Sequence, residues 1–291
     1  MIDTKGIGVG VVSQPAAVGR KTIEWPKHLG IWLLLGMQLL PLYMMFQMSF
    51  KNNTEFMTNP WFPSNPLGWQ WENYLYGIKL IGPYIANTVF VATMGASSTI
   101  FLAVLAAYFF ARYKMPGSTI LWSVFLVLML LPGIANIVPL FALLKNLNLL
   151  NTLWALIILA TAGGQVFNTF ILRNFIEDLP RDLFEAAEID GASHFQQVIN
   201  IVIPMSAPII GTLFIMTFLG QWNDFMMPLI ILRDRELFTL GVGLIYLDAE
   251  YVKQWGKIMA AFAVASIPLI LIFLFCMKLF VRGLTAGAVK G

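Results

Sequence analysis

Charge is what this chain has least of: Asp, Glu, Lys and Arg make up 11% of its 291 residues, where a soluble domain carries roughly 25%. So few charges cannot cover a fold of this size in water, because even a compact chain leaves a large surface to solvate. The composition fits lipid as the solvent, and the 58% of residues that are hydrophobic are gathered into long blocks. A single cysteine, Cys276, excludes a disulfide scaffold. With histidine only at His28 and His194, no ligand cluster for zinc, haem or an iron–sulfur centre is indicated. The phosphate-loop pattern G-x-x-x-x-G-K-[ST] is absent, so the chain does not bind and hydrolyse ATP in that manner. Nor is there a Ser, His and Asp arrangement, since neighbours such as Ser193 and His194 would point to different faces of a helix. The expectation is a polytopic membrane protein that is not an enzyme and binds no metal or cofactor of its own.

The few charges act as fences, and the intervals between them can be set against the roughly 17 to 25 residues of a spanning helix. Charge-free runs lie between Lys27 and Lys51, Lys79 and Arg112, Lys114 and Lys145, Lys145 and Arg173, Asp190 and Asp224, and Lys257 and Lys278. These six blocks are apolar on every face, which points to helices and away from the alternation of a membrane barrel. The first run, His28 to Phe50, is longer than a secretory signal's apolar region and lacks a small-residue cleavage site. Basic residues near span ends set orientation. Arg20, Lys21 and Lys27, then Arg112 and Lys114, then Arg173 and Arg181, then Lys278, Arg282 and Lys290 fall on one side if the spans alternate. That side is read as the cytoplasm, with both termini there. The expected organisation is a cytoplasmic segment 1–27, a six-helix transmembrane domain 28–277 that includes a cytoplasmic loop 173–204, and a cytoplasmic tail 278–291.

On the opposite side, the loop from Lys51 to Lys79 carries Trp61, Trp69, Trp71, Tyr74 and Tyr76 among Pro60, Pro63 and Pro66. Such rings anchor span ends in the interfacial belt, although they also suit stacking on a sugar face. Gly95, Ala96, Ser97, Ser98 and Thr99 form a small-residue run that lets helices approach closely. A proton or ion relay would place ionisable residues inside the spans, and these have none. Their polar residues are amides: Asn87, Asn136, Gln165, Asn168, Gln221 and Asn223. Each suits hydrogen bonds between helices, and together they also suit a path for an uncharged polar solute.

The anomaly is the segment Arg173 to Pro204, far longer than a plain connection requires. Pro180 stands where a helix begins, with Asp182 and Glu185 near the positive end of its dipole. Leu183, Phe184, Ala187 and Glu188 continue a short helix that stops at Asp190 and Gly191, a turn pair. A second short helix, Ala192 to Asn200, then leads into the fifth span. An amphipathic helix lying in lipid headgroups would want Lys and Arg on its polar face. Here Glu177, Asp178, Asp182, Glu185, Glu188 and Asp190 face only Arg173 and Arg181, so a protein groove with basic residues is the better fit.

Glu185, Ala186 and Ala187, then Gly191 after three intervening residues, then Ile201, Ile203 and Pro204 match E-A-A-x3-G-x9-I-x-L-P, with Ile203 where the pattern has Leu. This resembles the EAA loop of ABC importer permeases and stands between the fourth and fifth spans, where that family has it. The last residues, RGLTAGAVKG from Arg282 to Gly291, look like the tail of the six-span partner in maltose-type sugar permeases. Gln221, Trp222, Asn223 and Asp224 with Pro228 and Leu229 look like the end of the fifth span in the same carbohydrate family. The resemblance covers about residues 28 to 291.

What the resemblance implies is a division of labour. The chain would be one transmembrane half of a binding-protein-dependent type I importer in a bacterial or archaeal inner membrane. Its partners would be a second homologous permease, an ABC ATPase homodimer carrying ATP and Mg2+, an extracytoplasmic solute-binding protein and the lipid bilayer, with no nucleic acid. Glu185, Ala186, Ala187, Asp190, Gly191, Ala192, Ile201 and Pro204 would couple to the ATPase, and Thr285, Gly287 and Lys290 of the tail would touch it. Asn87, Gln165, Asn168, Gln221 and Asn223 are candidates for the solute path. The cargo expected is a sugar or oligosaccharide. Alternatives are an ABC permease for a polyamine, phosphate or glycerol phosphate ester, and a stand-alone carrier. An anionic cargo would want basic residues along the path, which the spans lack.

Overall fold

The computed structural model describes residues 25–113, 116–130, 136–248 and 254–288, with the side chains of residues 248 and 275–288 outside that description. Among the described residues every regular element is a helix, the form in which an apolar segment satisfies its own backbone polar groups. Two compact units divide the chain, residues 1–44 and 45–291.

Helix α1 (Trp25–Ser49) begins in the first unit. It exposes Trp32, Leu33, Leu34 and Met37, as a helix surrounded by lipid or by another apolar protein does. In the second unit, α2 (Asn53–Thr58) and an irregular stretch lead to α3 (Glu72–Arg112). Then come α4 (Ser118–Leu130), α5 (Ile137–Asn146) and α6 (Leu153–Glu177). Next are α7 (Arg181–Ile189), α8 (His194–Gln197), a π-helical stretch Val198–Val202 and α9 (Ile203–Met205). Helices α10 (Ala207–Trp222), α11 (Met226–Ile231), α12 (Leu240–Asp248) and α13 (Trp255–Ala288) complete the chain.

The centre of this unit is α3 packed on α6, and small side chains are the reason. On α3, Thr88, Ala92, Ala96, Thr99, Ala103 and Ala107 are buried at helical spacing, and on α6 Leu156, Ala160, Asn168, Leu172 and Ile176 recur every fourth residue or its multiple. A Cβ on Gly164 would lie 2.5 Å from Thr99 Cγ2, and one on Gly95 would lie 3.0 Å from Ala160 Cβ. The Gly95–Thr99 run therefore does what its composition implied, which is to bring two helices close. Helices α10 and α13 pack on α3 beside this seam, with Phe218, Trp222, Ala261 and Val264 in one apolar cluster with Ala92 and Ala96.

Among the described residues four helices are long and apolar enough to cross a membrane: α1, α3, α6 and the Trp255–Leu274 part of α13. A fifth crossing exists if the bent pair His194–Met205 and Ala207–Trp222 is one span. The run between Lys114 and Lys145 holds α4 and α5, of 13 and 10 residues, each too short to span alone. The bent pair turns through 83° at Ser206, which leaves helical geometry at φ −97°, ψ 7°. Pro204 and Pro208 flank it, and each removes a backbone donor from the ladder. Residues Arg282 to Ala288 continue α13 without a break, so no backbone boundary separates 277 from 278. Lys290 lies outside the described residues.

The loop after α1 is built around Lys51, which is fully buried. Its ammonium donates to the carbonyls of Asn59 and of Phe62, the latter at 2.7 Å. Burial pushes it below the ordinary lysine range, and Glu55 partly offsets this. The loop's aromatics divide. Trp69 stacks on Phe50 at 4.4 Å, whereas Trp61 and Trp71 stay exposed.

Candidate functional site

The segment after α6 is specified locally. Pro180 stands at the N-cap of α7, whose single buried side chain is Phe184, against α3 and α6. At the other end Asp190 is the C-cap and Gly191 adopts φ +76°, the left-handed conformation that glycine takes without a Cβ penalty. The Gly191 amide donates to Glu188 O at 3.1 Å and the Ala192 amide to Ala187 O at 2.9 Å. Those two bonds are a Schellman cap. Ser193 then opens α8 with a capping box: its amide donates to Gln196 Oε1 at 2.7 Å, and its hydroxyl accepts from the Gln196 amide. Two capped helices thus meet at a tight corner.

The outer side of that corner is open. Glu185, Ala186, Glu188 and Asp190 are exposed, Ala187 and Ala192 are half-buried, and Ile189 is 87% exposed. Leu183 and Ala186, three residues apart, share a face with Ile189 a further three on, so a narrow apolar strip runs between carboxylates. The rim of this strip is carboxylate, where a helix lying in headgroups carries Lys and Arg on its polar face. Ile201, half-buried, packs against the core shared by α3, α6 and α7, and Pro204 is exposed near the bend.

A second feature is a groove between α6 and α10. Two adjoining hollows of about 330 and 340 Å³ share Leu159, Ala160, Gly163 and Gln221. Asn168 lines the first, Asn136 and Asp224 the second. Glycines 163, 164 and 220 keep its wall low. Asp224 caps the start of α11 by accepting from the Met227 amide at 3.3 Å. Its burial raises it above the ordinary carboxylate range, and the Met227 and Met226 amides oppose the shift.

Of the amides named from sequence, Asn136, Asn168 and Gln221 come together on this groove. Asn168 also donates to Gly164 O at 2.7 Å and accepts from Thr217. Gln165 is engaged by the Thr99 and Thr161 carbonyls. Asn87 clamps a loop, donating to the carbonyls of Glu236 and Phe238 at 2.8 and 3.1 Å. Asn223 is exposed and donates to Leu219 O of its own helix. Asp224 was visible in sequence as a neighbour of Asn223, but its direction into the groove depends on the turn between α10 and α11. The side chains of Thr285 and Gly287, and all of Lys290, fall outside the description.

Helices of membrane-spanning length that carry a doubly capped acidic corner and a polar groove define a multi-pass membrane protein. Over residues 99–286 the chain matches the family described as binding-protein-dependent transport system inner membrane component, and it belongs to that family. It is 33% identical over 271 residues to the probable ABC transporter permease protein YurM of Bacillus subtilis, covering 90% of this chain and 88% of that one. To the diacetylchitobiose uptake system permease protein NgcG of Streptomyces coelicolor it is 33% identical over 239 residues, 81% and 78% of the two chains. To the trehalose/maltose transport system permease protein MalG of Thermococcus litoralis it is 31% identical over 269 residues, 90% and 97%. Among solved structures it is similar to a bacterial ABC transporter involved in the import of the acidic polysaccharide alginate. The TM-score is 0.75 at 21% identity, covering 88% of this chain and 96% of that chain, a likeness of fold.

Proposed function

We propose that the chain is a permease subunit of an ATP-driven, binding-protein-dependent importer of a neutral sugar or oligosaccharide, seated in a bacterial or archaeal inner membrane as a six-span protein with cytoplasmic termini. The observation that carries this reading is the α7 corner: Glu185, Ala186 and Ala187 followed by the Schellman-capped Gly191, with an exposed apolar strip between carboxylates. Relatives named for diacetylchitobiose and trehalose/maltose uptake support sugar as the cargo. A groove lined by Asn136, Asn168 and Gln221 offers amides to hydroxyl groups and no cation to an anionic solute.

In this account two ATPase subunits hold ATP and Mg2+, and α7 sits in a groove of one of them. Closure of the ATPase pair pulls α7, and the spans rock between inward and outward openings. A second homologous permease completes the path, and a binding protein delivers the solute from outside. Thr285, Gly287 and Lys290 reach the ATPase pair. Coupling demands that the α7 contact differ between the two states, since a contact equally good in both shifts nothing.

The test is ATP hydrolysis by the complex reassembled in proteoliposomes with its partner permease, ATPase and binding protein. Neutral oligosaccharides are expected to stimulate hydrolysis, whereas a polyamine or glycerol phosphate is not. Removal of residues 285–291 is expected to loosen control of hydrolysis without reducing insertion. Stimulation by a charged solute alone would overturn the cargo, and unchanged control would remove the tail from the mechanism.

A further inference from the structure

Arg112, the last residue of α3, touches three elements with one side chain. Its Nη2 donates to Ile176 O at 3.1 Å and to Leu179 O at 3.0 Å. The Ile176 carbonyl, at the end of α6, also accepts from the Leu179 amide at 3.2 Å, the Leu179 carbonyl belongs to the link into α7, and the helix dipole favours a cation at this end. The guanidinium also lies over the Phe184 ring, 3.7 Å from its centre, a cation–π contact. Phe184 is the one buried residue of α7.

Phe184 also packs in the core with Tyr108, Ile176 and Val198. A cavity of about 450 Å³ opens behind α7, with Arg173, Arg181, Glu185 and Glu188 on its walls. Just beyond the corner, two further contacts reach the same end of α3. Tyr108 donates to Gln197 Oε1 at 2.7 Å, and Tyr113 meets His194. The corner is therefore fastened to α3 at both of its arms. Arg112 Nε is buried and makes no hydrogen bond among the described residues. A lysine ammonium has no plane to lay on a ring and no fork to span two carbonyls at once.

We infer that Arg112 is the positioning residue that fixes α7 to the end of α3, so that α7 and the α3–α6 pair move as one body when the ATPase pulls. This rests on the coupling role proposed above for α7. Without Arg112, α7 would pivot about Phe184 into the cavity behind it, and the pull would be lost there.

The experiment uses the reassembled complex with Cys276 replaced by Ser and spin labels placed through Asp182→Cys on α7 and Phe101→Cys on α3. Electron–electron resonance distances are recorded without nucleotide and after trapping with ATP and vanadate, and binding-protein-stimulated hydrolysis is measured beside them. The parent is expected to give one narrow distance that does not change on trapping. Arg112→Ala is expected to broaden and shift it and to cut stimulated hydrolysis by about tenfold. Arg112→Lys should fall between the two, and Phe184→Leu should resemble Arg112→Ala. If Arg112→Ala fails to insert, Arg112→Lys and Phe184→Leu carry the same expectations. A parent distance that changes on trapping would overturn the inference, as would parent-like behaviour of the Arg112 and Phe184 variants while Glu185→Lys loses stimulation. If Glu185→Lys also behaves as the parent, the coupling role of α7 itself falls.

Discussion

Thr99 and Gly164 set the closest approach in the α3–α6 seam. Thr99 is fully buried, its hydroxyl donates to Gly95 O at 2.6 Å, and its methyl occupies the space a Gly164 Cβ would need. Gly164→Ala is expected to destabilise the protein by roughly 1–3 kcal/mol through overpacking, despite a helix-propensity gain of about 1 kcal/mol. Thr99→Ser, which removes the methyl and keeps the hydroxyl, is expected to restore most of that loss in the double variant. Thermal unfolding in detergent of the two single variants and the pair checks this, and simple additivity would exclude the contact. At this scale the sequence was only partly legible. The small-residue run announced close packing, but sequence shows Lys51 only as a charge that ends an apolar run and Asn87 only as an amide within one. Each in fact spends its side chain on loop carbonyls. For Asn87 those carbonyls lie about 150 positions away, and no local pattern reveals such a partner. Asp224 was hidden for the same reason, since only the turn after α10 aims it at the groove.

Among the elements, α7 was the most legible because its signals are local: a proline at the start, acids in the first turn, a turn pair at the end. The structure adds the Schellman cap and the capping box that follows it. The cap makes a distinction between substitutions. Asn tolerates the left-handed region and Val does not, so Gly191→Asn is expected to keep most stimulated ATP hydrolysis in the complex. Gly191→Val is expected to lose about tenfold, with insertion intact. Equal activity of the two would mean that the corner's shape is not what the partner reads. Counting charges marks the ends of apolar runs and says nothing of structure inside them. The interval from Lys114 to Lys145 carries α4 and α5 among the described residues. The 83° bend at Ser206 was likewise unmarked by any charge. Pro204 and Pro208 flank that bend, so proline is the better guide to continuity there.

For the whole molecule, scarcity of charge indicated the solvent and the placement of charge indicated the working surface. The charge-free runs carry their polar groups as amides and hydroxyls, while carboxylates collect at the corner of α7. The absence of a phosphate loop and membership of a binding-protein-dependent transport family fit one division of labour, in which a partner hydrolyses ATP and this chain converts the motion. The most direct measurement is binding-protein-stimulated ATP hydrolysis, together with solute uptake, by proteoliposomes containing the full complex with Glu185→Lys. Reversing that charge on the exposed acidic face of α7 is expected to leave the protein inserted and assembled while both activities fall by about tenfold or more. Uptake and stimulated hydrolysis equal to the parent would contradict the claim that energy enters this chain through α7.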